Sequence, residues 1–562
     1  MSRVSLILSL CALCGCGPGL EQPRSCVLIT LDTTNPKALD VYGLNRGLTP
    51  NLNRLAAEGI VFENARAVAP ITIASHASML TGLYPPRHGV RDNAYKALPQ
   101  SAETLAERAR DAGCRTGAFV AATVLRATYG LDQGFDTYGE APAVSAKRGG
   151  VGDRTGAEVT ADAIAWLDER ESEQPFFLWA HYFDPHAPYE APTEFVQRAE
   201  GKPYLAEVTF MDSALGPLLD RLRAEPDYDE FTILVVADHG ESGGKHGEAT
   251  HGLLCYDATL RVPLLVRLPQ KARAGSRSTE RVSVVDVFPT ALEAMGLGVP
   301  TTDGLSLVPG TIDPNRGVYF ECYYPFLNYG WGHLAGWAGS EGKFINGPAP
   351  EFYDTSTDPD EQVNLVAQAS QAVARAREAM TRLANAPKLE RSTDEQGAVT
   401  QEGMRGMGYA GSASVGAVLP EPASSSELPA PVQSLDEHYA VWTALAQADR
   451  NRKDLAMQGL QQVVDANPRN AFAHSLLGEM MLEVGQPRRA IRVLSAMIEL
   501  DLDRPGLRRN LAMGHAMLGE FDAALEHVSA YEAFCPNDPQ AAQFRHDIEQ
   551  LRDAARRNAG GK

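Results

Sequence analysis

Uninterrupted hydrophobic runs recur along the first half of the chain, and helical periodicity lies between them. The runs are 27–31, 117–120, 176–180 and 232–237, and two of the helical patterns are 51–59 and 102–113. Strands that are buried on both faces of a mostly parallel sheet carry such runs. The alternation predicts an α/β sandwich with a mostly parallel central sheet over residues 26–325.

The pattern changes after residue 325. Aromatic and turn residues cluster over 329–332 and 342–347, which predicts a small antiparallel subdomain over 326–390. Residues 391–434 are rich in Ser, Ala, Pro and Gly. That composition is typical of a linker.

The last part of the chain, residues 435–555, contains an internal repeat. A 34-residue spacing recurs in two sets of positions: Ala456, Ala490 and Ala524, and Leu460, Leu494 and Val528. This is the tetratricopeptide period, so the pattern predicts an all-α tetratricopeptide solenoid that binds a protein partner. The alternative is an ordinary helical bundle whose spacing is coincidental.

The N-terminus has the form of an export signal. Arg3 precedes an apolar run over 4–13 that is too short to span a membrane. The run ends in a Cys-Gly-Cys sequence that resembles a bacterial lipobox, in which Cys16 would be lipidated. We therefore expect residues 1–25 to be the leader of an exported bacterial lipoprotein, anchored in the periplasm or at the cell surface. Plain secretion and an unprocessed N-terminus are the alternatives.

Charge and cysteine content narrow the range of functions. The formal net charge of −20 argues against a nucleic-acid partner, which requires a basic surface. The cysteines beyond the leader are scattered and form no CxxC pair. The sequence therefore indicates neither a disulfide framework nor a thiolate metal site.

Two aspartates follow hydrophobic runs directly. Asp32 follows the first run and Asp238 follows the fourth, with His239 next in sequence. Because the carboxyl ends of parallel strands meet at one edge of a sheet, we expect these side chains to lie together. Two carboxylates and an imidazole form a reasonable site for a divalent metal ion. A turn or a helix cap is the alternative role for either aspartate alone.

Thr72 stands at the predicted start of a helix. A hydroxyl at that position faces the positive end of the helix and its unpaired amides, which favour an anion. Beside a metal ion, the hydroxyl would be activated to attack phosphorus or sulfur. The alternative role of Thr72 is that of a simple N-cap.

Five ordered segments over 26–385 carry a family resemblance. The first is Leu-Ile-Thr-Leu-Asp-Thr (28–33), followed by Thr-Pro-Asn-Leu (49–52), and the second is the segment 72–82. The third is Phe-Asp-Pro-His-Ala-Pro (183–188). The fourth is Ala-Asp-His-Gly-Glu-Ser (237–242), followed by Thr-His-Gly (250–252), and the fifth is the segment 352–365. Together they resemble the sulfatase-like family of the alkaline phosphatase superfamily, in a variant with threonine at the nucleophile position. The resemblance implies a sulfatase-like sandwich followed by a small C-terminal antiparallel subdomain.

The resemblance also implies roles for individual residues. The metal ligands would be Asp32, Thr72, Asp238 and His239, around one divalent ion (Ca, Mn, Zn or Mg). Thr72 would be the nucleophile, and His186 and His251 would contact the ester oxygens or protonate the leaving group. Asn93 would contact the oxyanion, and His76, in place of the signature arginine, would orient Thr72 at the substrate site. Four other polar residues are interpreted as structural or solvated: His181, Glu241, Lys245 and His246.

Departures from the family pattern bear on the chemistry. Classical sulfatases convert a cysteine or serine to formylglycine, whereas the β-carbon of Thr72 carries a methyl group and cannot yield that aldehyde. No formylglycine is therefore expected. Thr33 stands where many relatives have a second acidic ligand, which favours a single metal ion.

These departures favour a phosphoesterase or phosphotransferase that acts on a small, glycan-linked or lipid-linked phosphate ester through Thr72. Two alternatives stay open at this point. One is a sulfuric ester hydrolase that works without formylglycine. The other is a non-catalytic scaffold that binds partners through its repeats.

Overall fold

The computed structural model describes residues 22–93, 96–141, 154–171, 174–391, 418–534 and 539–560. Most of the predicted leader, with Cys16, and residues 392–417 of the predicted linker lie outside this part of the chain. The strands are β1 Cys26–Leu31, β2 Ile60–Arg66, β3 Arg115–Phe119, β4 Thr137–Gly139, β5 Phe176–Tyr182, β6 Thr232–Ala237, β7 Arg261–Arg267, β8 Ser276–Ser283, β9 Val318–Cys322, β10 Leu334–Gly339, β11 Gly342–Asn346 and β12 Glu351–Tyr353.

The main sheet has eight strands in the order β4-β3-β5-β1-β6-β7-β2-β8. Within it, β7 pairs antiparallel with both of its neighbours, and every other pairing is parallel. All residues of β1, β5 and β6 are buried, which explains their unbroken hydrophobic runs. The predicted α/β class with a mostly parallel sheet is confirmed.

Helices cover this sheet, and a second sheet follows it in the chain. The helices are α1 Pro50–Ala57, α2 Thr72–Thr81, α3 Pro85–His88, α4 Leu105–Asp111, α5 Gly156–Asp168, α6 Thr193–Arg198, α7 Pro203–Arg223, α8 Asp257–Leu260, α9 Val287–Ala294, α10 Tyr324–Tyr329 and α11 Ser370–Ala384. The second sheet is antiparallel, in the order β12-β11-β10-β9. It confirms the small antiparallel sheet, which begins with β9 before the predicted boundary at residue 326.

Seven further helices form the C-terminal region. They are α12 Leu435–Asp449, α13 Lys453–Ala466, α14 Ala471–Glu483, α15 Pro487–Glu499, α16 Pro505–Met517, α17 Phe521–Phe534 and α18 Pro539–Gly560. The helices α13, α15 and α17 begin at 453, 487 and 521, and α14, α16 and α18 begin at 471, 505 and 539. Each set therefore recurs every 34 residues.

The C-terminal helices share a hydrophobic core with the preceding α/β region. Leu435, Val441 and Phe472 belong to the same buried cluster as residues of β1 such as Val27. This continuity means that α12 and α14 pack on the preceding region directly.

The described end of the predicted linker also packs against the protein. The Asn346 side-chain amide donates to the carbonyl oxygens of Pro422 and Ser424, at 2.9 and 2.8 Å. The Tyr323 hydroxyl donates to the carbonyl of Pro420 at 2.7 Å. Residues 418–434 are therefore not a free spacer, because their backbone carbonyls satisfy side-chain donors of the antiparallel region.

In the described ranges, no helix is both long enough and apolar enough to cross a membrane.

Candidate active site

The ends of β1 and β6 bring the two predicted aspartates together. The strands pair in parallel with Leu31 opposite Ala237, so Asp32 and Asp238 leave the sheet side by side. His239 follows, and all three side chains are fully buried. Their potential ligand atoms lie within 4.8 Å of one another.

The donor geometry of this cluster fits a cation. His239 Nε2 lies 3.6 Å from Asp238 Oδ2 and 4.0 Å from Asp32 Oδ1. Asp238 Oδ1 accepts hydrogen bonds from the amides of His239 and Thr33, at 2.7 and 3.2 Å, whereas the buried Oδ2 accepts none within the described residues. A buried carboxylate oxygen without a donor is costly, and a divalent cation would offset that cost. Two carboxylates and one imidazole are suitable ligands for it.

Thr72 faces this cluster from the N-terminus of α2. Its Oγ1 lies 3.3 Å from His239 Nε2, and the residue is 2% exposed. The N-cap position belongs to Ile71, whose backbone is extended and whose side chain offers no cap. The Thr72 hydroxyl therefore points at the cluster of Asp32, Asp238 and His239 and does not cap its own helix.

Carbonyl contacts fix the protonation of two histidine rings. Because a carbonyl only accepts hydrogen bonds, His239 Nδ1, 3.1 Å from the Gly240 oxygen, carries the proton. The lone pair of His239 Nε2 is then directed toward Thr72 and the carboxylates. His76 Nδ1 likewise donates to the Thr72 carbonyl at 2.8 Å and lies 3.8 Å from Asp238 Oδ2. His76 thus connects the first turn of α2 to the candidate metal ligands.

Asn93 lies beside the start of the same helix. Its Oδ1 accepts a hydrogen bond from the Ile73 amide at 3.1 Å. Its Nδ2 is buried and has no hydrogen-bond partner among the described residues. The asparagine therefore fixes the helix start with one atom and retains a donor, beside Thr72, for an anion.

His186 and His251 extend the polar surface away from the cluster. The ring centroid of His251 lies 4.5 Å from that of His239 and 5.1 Å from that of His186. His186 stacks on Phe183 and donates from Nδ1 to the Ala187 carbonyl at 2.6 Å. Burial lowers the pKa of both His186 and His251 to about 3, so both rings are neutral.

Two residues that the sequence interpretation treated as structural or solvated contact this site. His181 Nδ1 accepts from the Ala121 amide at 3.3 Å, so its proton is on Nε2, which lies 3.4 Å from Asp32 Oδ2. Glu241 Oε1 lies 3.2 Å from His251 Nδ1, and Glu241 Oε2 accepts from the Tyr189 hydroxyl. The available signals in the sequence were a histidine directly after an apolar run and a glutamate two residues after His239.

The other two polar residues of that group lie outside the cluster. Lys245 pairs with Asp360, and His246 stacks on Tyr256. Both line a cavity of about 510 Å³ that also has Glu241 on its wall. The cavity therefore lies next to the residue that contacts His251.

Two family models match the chain. The sulfatase model matches residues 24–297, and the model of the C-terminal region of N-sulphoglucosamine sulphohydrolase matches residues 244–386. Together they span more than half of the chain. The C-terminal helices from α12 onward lie beyond both matches.

Sequence relatives carry sulfatase names. Human N-acetylgalactosamine-6-sulfatase is 27% identical over 350 residues, which are 52% of this chain and 66% of that protein, just under two thirds. A protein of Escherichia coli K12 named as an uncharacterized sulfatase is 23% identical over 425 residues, covering 62% of this chain and 84% of that protein.

Solved structures share the fold. One of a protein in complex with its substrate D-glucosamine-2-N,6-O-disulfate aligns with a TM-score of 0.55 at 22% identity, covering 65% of this chain and 99% of that chain. The phosphonate monoester hydrolase of Agrobacterium radiobacter aligns with a TM-score of 0.53 at 20% identity, covering 63% and 93%. The two family models thus identify residues 24–386 as a sulfatase-like region, and the solved structures show that this region shares their fold.

Proposed function

We propose that this protein is a metal-dependent hydrolase of sulfuric esters, acting on a sulfated sugar with Thr72 as nucleophile. One observation carries the proposal. Thr72 Oγ1 lies 3.3 Å from His239 Nε2, within a buried cluster that contains Asp32 and Asp238. The sulfatase names of the relatives and the sugar disulfate bound to a structural neighbour support the choice of ester.

The donor set suits one divalent cation. Held by Asp32, Asp238 and His239, with the Thr72 hydroxyl beside it, the ion would supply positive charge that attracts an anionic ester group. Thr33, in the place of a second acidic ligand, has a neutral side chain and is fully buried. This supports one ion rather than two.

The residues around Thr72 have different roles in the reaction. A bond forms between Thr72 Oγ1 and sulfur while the bond between sulfur and the sugar oxygen breaks. The proton that Thr72 loses passes through the imidazole of His251 or His186 to the departing sugar oxygen. In the second step a bond forms between water and sulfur while the bond between sulfur and Thr72 Oγ1 breaks. One proton of the water restores the hydroxyl, and the other leaves with the sulfate. The amides at the start of α2 and Asn93 Nδ2 stabilise the negative oxygens during both steps.

A phosphate ester is the second candidate substrate, and Thr72 itself is the observation that favours it. Without formylglycine, water must cleave a sulfo-threonine directly, and we expect that step to be slow. A phospho-threonine intermediate avoids this difficulty and also permits transfer to an acceptor alcohol. The names of the relatives outweigh this argument and favour the sulfate ester.

Matched substrates test the proposal. The measurement compares kcat/KM for 4-nitrophenyl sulfate, 4-nitrophenyl phosphate and a sulfated N-acetylgalactosamine, using the wild type, Thr72→Ala and Thr72→Ser. We expect preference for sulfate, loss of turnover with Thr72→Ala, and residual turnover with Thr72→Ser, which retains a hydroxyl. Higher turnover of the phosphate would favour the second candidate. No turnover and no bound metal by elemental analysis would favour the non-catalytic scaffold.

We further interpret the C-terminal helices as tetratricopeptide units. The 34-residue recurrence of their starting positions supports this interpretation. The predicted lipid anchor at Cys16 is a separate proposal. Incorporation of labelled palmitate into the wild type but not into Cys16→Ser would support it, and equal labelling of both would end it.

A further inference from the structure

The C-terminal helices contact the end of α10 and the glycine that follows it (residues 327–330). Asn467 Nδ2 donates to the Tyr329 carbonyl at 2.8 Å, and the Tyr329 hydroxyl lies 2.7 Å from His438 Nδ1. Arg504 donates to the Leu327 carbonyl at 3.1 Å. These contacts come from the first turn of α12, from the C-cap residue of α13, which precedes α14, and from the N-cap residue of α16. Helix ends on one side of the C-terminal region therefore contact one short segment.

The backbone of the C-terminal region lies very close to the backbone of this segment. Gly330 has a φ of +66°, and a Cβ added there would lie 2.5 Å from the Cβ of Arg469. Tyr329 is fully buried and Arg504 is 1% exposed. Such packing is typical of a continuous core and not of a tethered module.

A second contact joins the C-terminal region to the loop that carries His251. The Tyr439 hydroxyl, on α12, accepts a hydrogen bond from the Ala249 amide at 3.0 Å and donates to the Gly247 carbonyl. Gly247 has a φ of +83°, and a Cβ there would lie 3.0 Å from Leu435 Cδ1. One phenol thus pairs with two backbone groups of the loop. His251 follows Ala249 by two residues.

The conformation of this loop depends on such contacts. Residues 243–245, 247 and 249 are exposed, so little hydrophobic burial holds the loop in place. The residues after His251 are restrained by a side chain within the loop, since the buried Glu248 carboxyl accepts hydrogen bonds from the amides of Leu253 and Leu254. Tyr439 therefore supplies one restraint on the N-terminal side of His251, beside the bond from the Ser242 amide to the Thr250 carbonyl at 2.8 Å. Glu248 supplies a restraint on the C-terminal side.

We propose that the C-terminal helices act within their own chain as part of the active-site structure, and that Tyr439 is a positioning residue for His251. The inference rests on the proposed function through the role given to His251. It differs from the expectation of a repeat surface for an external partner, because the ends of α12, α13 and α16 are occupied by the chain itself. Any ligand that displaced α12 would also release the loop before His251.

The test uses the full chain and the variant Tyr439→Phe, which removes the hydroxyl and keeps the ring. The control is Ala440→Ser, at the neighbouring exposed position of α12. Hydrogen exchange of the Ala249 amide is measured first, with the melting temperature as a check on folding. Tyr439→Phe removes both hydrogen bonds of the hydroxyl. Loss of the bond from the Ala249 amide predicts roughly fivefold faster exchange of that amide, with no change in the control.

The second readout is steady-state kinetics. For Tyr439→Phe we expect a roughly tenfold lower kcat, with KM and the metal Kd unchanged. Faster exchange with unchanged kcat would overturn the positioning role, and unchanged exchange would overturn the contact itself. Failure of the proposed function is seen separately, as full turnover by Thr72→Ala, and it leaves the exchange result standing.

Discussion

His181 Nε2 lies 3.4 Å from Asp32 Oδ2, and the Ala121 amide fixes the proton on that nitrogen. The protonated nitrogen therefore faces, in an electrostatic contact rather than a formed hydrogen bond, a carboxylate that is also a candidate metal ligand. Such a contact sets the orientation of the carboxylate and the amount of negative charge it offers to a cation.

Removing this contact should weaken metal binding. We expect His181→Ala to raise the metal Kd roughly 10- to 100-fold, and His181→Gln, which retains a donor, to recover part of the loss. Calorimetric titration with Mn²⁺ and Ca²⁺ gives the Kd. His246→Ala, which alters a ring outside the cluster, is the matched control. An unchanged Kd in His181→Ala would show that the contact with Asp32 does not govern the site.

Asn93 offers an isosteric test of the oxyanion contact. Asn93→Asp retains the acceptor for the Ile73 amide but replaces the Nδ2 donor with a negative oxygen. We expect kcat/KM to fall by roughly 10²- to 10³-fold, because a donor to the developing charge becomes a repulsive group. The melting temperature is measured in parallel, because a buried carboxylate oxygen without a donor costs stability even though the bond to α2 remains. Turnover within a factor of two of the wild type would remove Asn93 from the site.

Lys343 joins the antiparallel sheet to the main domain through buried ion pairs. Its Nζ lies 2.9 Å from Asp257 Oδ1 and 2.7 Å from Glu361 Oε1, and its side chain is fully buried. We expect Lys343→Met to lower the free energy of unfolding by roughly 3–5 kcal/mol, because it leaves the buried Glu361 carboxylate without a cation, while Asp257 keeps its pair with Arg66.

The control for that measurement is Lys245→Met. Lys245 also pairs with an aspartate, Asp360, but about half of each side chain is exposed. The expected loss is under about 1 kcal/mol. The free energy of unfolding is measured with urea. Equal losses of this free energy in the two variants would contradict the stabilising role of the Lys343 ion pairs.

Glu248 should make stability depend on pH. Burial raises the pKa of this carboxyl from 4.5 to about 8. Between those values the folded protein holds the proton and the unfolded chain has lost it, so stability falls as the pH rises through this range. Glu248→Gln retains the acceptor for Leu253 and Leu254 without the charge. We expect the variant to match the wild type near pH 4.5 and to exceed it by up to about 4 kcal/mol above pH 8.

Melting temperatures from pH 5 to pH 9 measure this difference. Glu378→Gln, on the exposed surface of α11, should run parallel to the wild type throughout. A constant difference between Glu248→Gln and the wild type across this range would show that Glu248 does not hold a proton in the folded state.

The core of the main sheet could be predicted because hydrophobic runs report burial on both faces directly. The run 232–237 coincides with β6, and the runs at 27–31 and 176–180 lie within β1 and β5. The meeting of Asp32 with Asp238 followed from parallel strand order alone. These features depend on local pattern and on one topological rule.

The contacts of His181, Tyr439 and residues 418–434 could not be predicted, because they are set by tertiary packing. His181 reaches Asp32 only because β5 pairs with β1, and the sequence does not state which strands are neighbours. The segment 418–434 has the composition of a linker, yet its carbonyls meet buried donors such as Asn346. The composition of a segment indicates how flexible it is in isolation, but it does not indicate the surface against which the segment packs.

Covalent trapping tests the central claim most directly. The protein is mixed with aryl sulfate, or with aryl phosphate, and quenched in acid within the first turnovers, and the peptide that contains α2 is sequenced by mass spectrometry. The account predicts a sulfo or phospho group on Thr72 and on no other residue, and none in Thr72→Ala. An enzyme that turns over substrate without modification of Thr72, or with the group on another side chain, would contradict it.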